Sequence, residues 1–141
     1  MDNKNMDVNL NNSAELARAA ASILIEKKAL DVRLFDVSED SSVTDFYVNA
    51  TGRSSTNVAA LADELVYKLE LLGKTAHRVE GRGGNAWLLI DYGDVIINVF
   101  DKPSREFYNF DRLLPEASCV DISDIVEEID KKYDANNIKE D

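Results

Sequence analysis

Two aspartates on either side of a short loop have a spacing that fits metal-binding chemistry better than any other pair in this sequence. Asp91 and Asp94 flank Tyr92-Gly93, so their carboxylates could point to one side and hold a divalent cation. Aspartate is also a common residue beside turns, and the spacing alone favours that explanation. No third carboxylate or histidine follows at ligand spacing nearby, so we expect no metal site.

A second candidate site lies at residues 52–55, where Gly-Arg-Ser-Ser joins a β-prone segment to a helical pattern. Free backbone amides at a helix N-terminus can hold a phosphate. The segment lacks the lysine of a P-loop and the glycines of a dinucleotide site, so helix capping is favoured. The alternative is a nucleotidyltransferase-like enzyme that binds phosphate here and Mg²⁺ at Asp91 and Asp94.

The single histidine and the single cysteine do not suggest a nucleophilic site. His77 follows Ala76 and precedes Arg78 on a predicted short strand, and Cys119 lies in an acidic region that does not favour a thiolate. We therefore expect no catalytic residue, no cofactor and no enzymatic activity. A lone cysteine cannot form an intramolecular disulfide, which favours a reducing, cytoplasmic location.

The charge of the chain limits its partners. Its 141 residues include 27 acidic and 16 basic side chains, for a formal net charge of −11. Such a surface repels nucleic acid and anionic membranes, so we expect little direct nucleic-acid binding and no membrane binding. No apolar run approaches the length of a membrane span. A basic protein surface is the natural complement.

The apolar periodicity predicts one α/β domain with elements in the order α-β-β-α-β-β-β-α. Its five-stranded sheet must be mixed, because it contains a hairpin and at least one helical crossover. We expect residues 1–12 to be a flexible N-terminus, 13–115 the folded domain and 116–141 an acidic, solvated tail. The predicted helices run from the Asn12 cap to about Lys28, from Thr56 to Gly73, and from Pro103 to Leu114, with a short one at Ser123 to Tyr133; the strands are 31–37, 46–51, 77–80, 86–91 and 94–100.

The predicted hairpin has one uniformly apolar face and one mixed face. The apolar face, with Val95, Ile97 and Val99, is expected to cover the core. If the mixed face is uncovered, its aromatic centre and acidic rim are typical of a protein–protein interface. If a helix or loop packs over it, its tryptophan belongs to the core, and the pattern does not decide between the two. The mixed face carries Trp87, Leu89, Ile96 and Phe100, with Asp91, Asp94 and Asn98 at its rim.

Five segments match a known family in their order and spacing. They are VTDF at 43–46, TGRSS at 51–55, VEG at 79–81, WLLIDYGDVIINVF at 87–100 and SREFY at 104–108. Together they resemble the ribosomal silencing factor family, also called RsfS or Iojap-like, over residues 14–114. Two positions depart from the family pattern: Leu114 stands where an aromatic residue is expected, and Asn98 stands where histidine is common.

The resemblance implies a fold and a function. The fold is a mixed five-stranded sheet with flanking helices, similar to nucleotidyltransferases but without a catalytic centre. The function is binding to the large ribosomal subunit through ribosomal protein fourteen, where the protein blocks joining of the small subunit and represses translation when nutrients are scarce.

The residues expected to bind the partner follow from the hairpin and the last helix. Trp87 and Phe100 are the expected apolar anchors, and Asp91, Asp94 and Asn98 the expected polar partners. Arg105 and Tyr108 are possible neighbours on the last helix, although Tyr108 equally fits the core. A third alternative is a homodimer of the free protein in which two aromatic faces cover each other.

Overall fold

A computed structural model describes residues 9–140 of the chain, and the side chains of residues 9–134. The flexible N-terminus predicted for residues 1–12 therefore falls largely outside the described residues. The strands are β1 Leu30–Asp36, β2 Phe46–Gly52, β3 Arg78–Glu80, β4 Trp87–Asp91, β5 Val95–Asp101 and β6 Cys119–Val120, and the helices are α1 Ser13–Glu26, α2 Ser55–Leu71, α3 Lys102–Tyr108 and α4 Ser123–Glu140.

The strands form one mixed sheet in the order β3-β4-β5-β2-β1-β6. β2 and β5 are parallel, and the other neighbouring pairs are antiparallel. The prediction of a single mixed α/β sheet is confirmed, but the predicted count of five strands is wrong. The sixth strand, β6, has two residues, which is too short to show an alternating pattern in the sequence.

Capping residues mark the start of α1 and both ends of α2. The Asn12 side chain accepts a hydrogen bond from the Glu15 amide at the start of α1. The Ser54 side chain accepts one from the Asn57 amide at the start of α2. Gly73 follows α2 with a positive φ of 94°, a conformation in which glycine carries no Cβ penalty.

The third helix is shorter than its apolar pattern predicts. α3 ends at Tyr108 because Asn109 adopts the left-handed conformation, with φ 49° and ψ 47°. A 3-10 turn, Phe110–Leu113, follows in a new direction. The apolar residues from Phe107 to Leu113 have the spacing of one continuous helix. In the structure they are divided between α3 and the 3-10 turn, which meet at Asn109.

The core lies on one face of the sheet, beneath α1 and α2. Both helices contact β2 and β5, the two central strands. The sheet supplies an apolar layer that includes the predicted core face of β5, and the helices supply a matching stripe. The fully buried members of this layer include Leu34, Val48, Ala50, Leu88, Ile90, Val95, Ile97 and Val99 from the sheet and Leu16, Ala17, Ala20, Ala21, Leu24, Val58, Leu61, Ala62, Leu65 and Leu69 from the helices.

The segment after Pro115 adds elements to this fold. β6 pairs with β1 at the edge of the sheet, and α4 packs against α1. Ile125 and Ile129 are 7% and 9% exposed at that contact. A hydrogen-bonded ion pair of 2.7 Å joins Lys132 to Glu26 across it. The helix also continues beyond Tyr133, where the amphipathic pattern predicted its end.

We expect Ile125→Ala to lower the free energy of unfolding by about 2–3 kcal/mol, because it removes buried methyl groups between α4 and α1. The matched control is Val126→Ala on the same helix, whose side chain is 38% exposed, and which should cost no more than about 1 kcal/mol. Chemical denaturation measures both. Equal, small effects would show that α4 does not stabilise the domain.

Alkaline stability should depend on Tyr92. Burial, with a smaller contribution from the charge of Glu70, raises the pKa of the Tyr92 phenol to about 12. The folded state favours the neutral phenol, so this contribution to stability is complete below pH 10 and is lost as the pH rises to about 12. Between pH 10 and about 12, the free energy of unfolding should therefore fall less for Tyr92→Phe than for the unchanged protein. Denaturation at each pH measures both.

Candidate functional site

The face of the sheet opposite α1 and α2 presents three rows of side chains across β4, β5 and β2. The strand registers define the rows, and each contains one residue from each strand. The first row is aromatic at β4 and β5, the middle row is mainly polar, and the third is mixed. The rows are Trp87, Phe100 and Thr51; Leu89, Asn98 and Asn49; and Asp91, Ile96 and Tyr47.

A chain of hydrogen bonds crosses this face and continues onto the segment after β5. The Trp87 indole N–H donates to Asn98 Oδ1 at 2.9 Å, and the Asn98 amide donates to Asn49 Oδ1 at 3.0 Å. The Asn49 amide donates to Asp111 Oδ1 at 2.6 Å, and Arg105 donates to Asp111 Oδ2 at 2.8 Å. We call these five residues the polar chain. Each of its bonds pairs groups that would be costly to bury alone.

Arg105 makes further contacts that attach α3 to the sheet. Its guanidinium donates to Thr51 Oγ1 at 2.8 Å and lies 3.6 Å from a carboxylate oxygen of Asp31. Its side chain is only 9% exposed. The donors of Arg105 are therefore directed inward and fix α3 over one end of the face, and its role as a neighbour of a partner stays a prediction.

Trp87 is the centre of an aromatic cluster. Its ring centroid lies 4.9 Å from that of Phe100, 4.9 Å from that of Tyr108 and 6.1 Å from that of Phe110. The cluster extends to Tyr47, whose ring meets Phe110 edge-on at 5.1 Å. Trp87 is half-buried, so the structure combines the two alternatives left open by the sequence: the hairpin face is partly covered by α3 and the following turn.

Two expected surface residues are buried. Phe100 is 0% exposed and lies beneath Trp87 and Arg105, so the expectation that it is an accessible anchor is wrong. Asn98 is 1% exposed, and its side chain bonds to Trp87 and Asn49 rather than lying at a polar rim. Both errors have the same cause: α3 and the 3-10 turn fold back over the strand from which they emerge.

An exposed apolar patch lies where this covering segment faces outward. Phe107 and Tyr108 on α3 are 81% and 51% exposed, and their rings are in edge contact at 5.0 Å. Leu113 is 76% exposed at the end of the 3-10 turn, and Val43 is 69% exposed on the loop between β1 and β2. We call Phe107, Tyr108 and half-buried Trp87 the aromatic patch. Sequence periodicity placed Phe107 and Leu113 on a helix but could not show that they face away from the sheet.

The two aspartates of the hairpin serve different structural purposes. Asp91 accepts a hydrogen bond from the Gly93 amide at 2.7 Å and pairs with Arg78 at 3.1 Å. Asp94 is exposed, and its backbone carbonyl accepts from the amides of Asp45 and Phe46. The turn-flanking explanation is confirmed for Asp91. Among the described residues no group of three or more His, Cys, Asp or Glu side chains has the geometry to hold a metal.

The Gly-Arg-Ser-Ser segment caps α2. Besides the Ser54 cap, the Arg53 amide donates to Asn57 Oδ1 at 2.8 Å, so two of the amides that could hold a phosphate are already used. The Arg53 guanidinium donates to the carbonyl of Lys28 at 2.6 Å. The capping explanation is confirmed, and the phosphate alternative receives no support from this geometry.

His77, considered as a general base, and Cys119, considered as a nucleophile, are on the surface and apart from the face. His77 is an exposed residue before β3, next to Gly93, and Cys119 is an exposed thiol on β6.

No helix within residues 9–140 has the length and apolar composition needed to cross a bilayer.

Comparison with known proteins agrees with the sequence motifs. A family model described as "Ribosomal silencing factor during starvation" matches residues 10–141. The chain belongs to the ribosomal silencing factor family. This is a family of translation regulators that associate with ribosomes, and it is not an enzyme class.

Individual relatives extend the similarity over most of the chain. Ribosomal silencing factor RsfS of Halalkalibacterium halodurans is 33% identical over 112 residues, which cover 79% of this chain and 96% of that protein. The Bacillus subtilis RsfS is 31% identical over 111 residues, covering 79% and 94%. A crystal structure of a Chromobacterium violaceum protein, 31% identical, superposes with a TM-score of 0.69 over 72% of this chain and 84% of that one.

The polar chain should be testable through Asp111. Asp111→Ala leaves the buried Asn49 amide and the Arg105 guanidinium without their shared acceptor, so we expect a loss of about 2–3 kcal/mol of stability. The emission of Trp87, the only tryptophan, should change as α3 loosens. The matched control is Arg112→Ala, an exposed neighbour, which should change stability by less than about 0.5 kcal/mol. Identical emission and stability in both variants would contradict this account of the polar chain.

Proposed function

We propose that this ribosomal silencing factor acts in the cytoplasm by binding the large ribosomal subunit through ribosomal protein fourteen. Bound there, it blocks joining of the small subunit and represses translation when nutrients are limiting. The observation that carries the proposal is the aromatic patch, because exposed rings at fixed positions are the usual anchors of a protein–protein interface.

The aromatic patch is pre-organised for binding. Tyr108 packs on Trp87, and Trp87 is fixed from below by Phe100 and at its indole nitrogen by Asn98. A partner that docks here does not have to order these rings, so less of the contact energy is lost to entropy. The buried residues Phe100 and Asn98 thus support the interface without touching the partner.

The charge of the protein favours a protein target on the subunit over its RNA. With a net charge of −11, the molecule is repelled by RNA phosphates and attracted to a basic protein surface. Asp94 and Glu106 are exposed carboxylates on the hairpin turn and on α3, beside the face. Such groups mainly increase the rate of association and lose their effect at high salt.

A steric block requires position and affinity rather than a reacting group. This is consistent with the family, and with the geometry in which residues 52–55 cap a helix and Asp91 stabilises a turn.

Calorimetry with ATP and Mg²⁺ tests the alternative of a nucleotide- and Mg²⁺-dependent enzyme. We expect no heat of binding, and a measurable heat of binding would favour that alternative.

We expect Tyr108→Ala to weaken binding to ribosomal protein fourteen and to isolated large subunits by about 2 kcal/mol, or roughly thirtyfold, through loss of a ring from the centre of the interface. The matched control is Tyr67→Ala on α2, which removes a ring of similar exposure, 56% against 51%, far from the aromatic patch. Co-sedimentation with large subunits measures both. Equal binding by the two variants would remove Tyr108 from the interface.

Subunit joining provides the functional test. Large and small subunits mixed with excess protein should remain separate in a sucrose gradient, and Tyr108→Ala should restore joining while Tyr67→Ala does not. Complete joining in the presence of the unchanged protein would overturn the proposed block.

Sedimentation of the free protein tests the homodimer alternative, since a dimer formed through the aromatic patch would dissociate in Tyr108→Ala.

A further inference from the structure

A groove lies beside the aromatic patch, between the loop that connects β1 to β2 and the end of the 3-10 turn. Its volume is about 370 Å³. Val43 and Leu113, two of the most exposed apolar residues of the described chain, stand at its walls with half-buried Tyr47 and Leu114. Tyr47 also contacts Phe110, which packs on Trp87, so the groove and the aromatic patch are joined by continuous apolar contacts.

The groove continues into a second cavity that is acidic. Asp40 lines both cavities, and the second, of about 390 Å³, is also lined by Asp36 and Glu39. No lysine or arginine lines either cavity. A third cavity, next to α3, is lined by Arg33, Arg105 and Arg112, and it shares Leu114 with the groove and Cys119 with the acidic cavity.

The three carboxylates of the acidic cavity are not paired with a cation within residues 9–134. Asp36 accepts hydrogen bonds from the amide and hydroxyl of Ser38, at 3.1 and 2.7 Å, which orient it without neutralising its charge. Glu39 and Asp40 are exposed, and none of the three takes part in an ion pair among the described side chains. A ligand that brings positive charge would therefore gain an attraction that the protein itself leaves unused.

The loop that forms the groove is ordered by its own hydrogen bonds. The amides of Asp40 and Ser41 both donate to the carbonyl of Val37, and the Val43 amide donates to the Ser41 hydroxyl at 3.0 Å. The Thr44 hydroxyl donates to the Gly93 carbonyl at 3.0 Å, which attaches the loop to the hairpin turn. The groove is therefore pre-formed, and a ligand would not have to order it.

We propose that this groove and its acidic extension bind a cationic, extended segment of a ribosomal protein, with an apolar side chain between Val43 and Leu113 and a lysine or arginine at Asp36, Glu39 and Asp40. The inference rests on the proposed function and extends the same interface beyond the aromatic patch. The alternating apolar and acidic lining selects a peptide, because RNA phosphates would be repelled by the three carboxylates.

Neutralising the acidic cavity tests the proposal with the whole protein. The variant Asp36→Asn, Glu39→Gln, Asp40→Asn keeps the size of each side chain, and the amide oxygen introduced by Asp36→Asn can still accept the Ser38 hydrogen bonds. The variant should bind large subunits about tenfold more weakly at low salt and show a smaller dependence on salt, because exposed charge contacts are screened.

The matched control removes the same number and types of charge from α4, on the opposite side of the sheet. Its substitutions are Glu127→Gln, Asp130→Asn and Asp134→Asn, all at exposed positions. Both triple variants raise the net charge by three, so long-range attraction to the ribosome changes equally. Only the groove variant should lose affinity and salt dependence beyond that shared effect.

A photo-reactive side chain in place of Val43 identifies the occupant. Irradiation of the variant bound to large subunits should yield an adduct with a ribosomal protein at a lysine- or arginine-rich segment, and Asp36→Asn, Glu39→Gln, Asp40→Asn should reduce its yield. An adduct with RNA, no adduct, or equal losses in the two triple variants would overturn the groove while leaving the proposed function intact. Failure of the unchanged protein to bind large subunits at all would overturn both.

Discussion

The bond from the Trp87 indole to Asn98 begins the interaction on which the outer face of this protein depends. From there the polar chain passes through Asn49 to Asp111 and Arg105, and so joins β4, β5, β2, the 3-10 turn and α3. Asparagine carries both a donor and an acceptor, which lets two adjacent strands pass a hydrogen bond across the sheet. Because each buried polar group is satisfied only while the others are in place, the covering segment and the tryptophan are held in one arrangement.

The sheet register makes this chain possible. Asn49 and Asn98 are opposite each other because β2 and β5 are parallel in a register that aligns Phe46 with Val95. If β2 slipped by one residue against β5, its polar side chains would face the core in place of its apolar ones. The packing of α1 and α2 on the apolar side therefore enforces the alignment of Asn49 with Asn98 on the other side. The core on one face therefore determines the geometry of the polar chain on the other.

The division between buried and exposed residues of the outer face has a physical basis. Residues near the middle of the face, such as Phe100 and Asn98, are covered by α3 and the turn that follows it. Residues on the outer surface of that segment, such as Phe107 and Tyr108, remain exposed. A flat sheet face has become a raised aromatic patch with an adjacent groove, and a protein partner can bind a surface of that shape more specifically than a flat one.

The local order of residues was sufficient to predict several features of the fold. Asn12, Ser54 and Gly73 marked helix ends, alternation marked the hairpin and its core-facing side, and the ordered motifs indicated the family. These features depend on contacts between residues close in sequence or on strict periodicity. The exposure of Phe100 and Asn98 was predicted wrongly because a segment that follows them in sequence returns to cover them, and periodicity carries no information about such a return.

The amino-acid sequence by itself determined the acidic charge, the helix caps, the alternating strands and the membership of the ribosomal silencing factor family. The tertiary structure alone decided the burial of Phe100, the sixth strand, the polar chain and the groove beside Val43. The reason is that side chains far apart in sequence, such as those of Asn49 and Asp111 with a separation of 62 residues, meet only after the sheet register and the left-handed Asn109 have directed the chain back across the face.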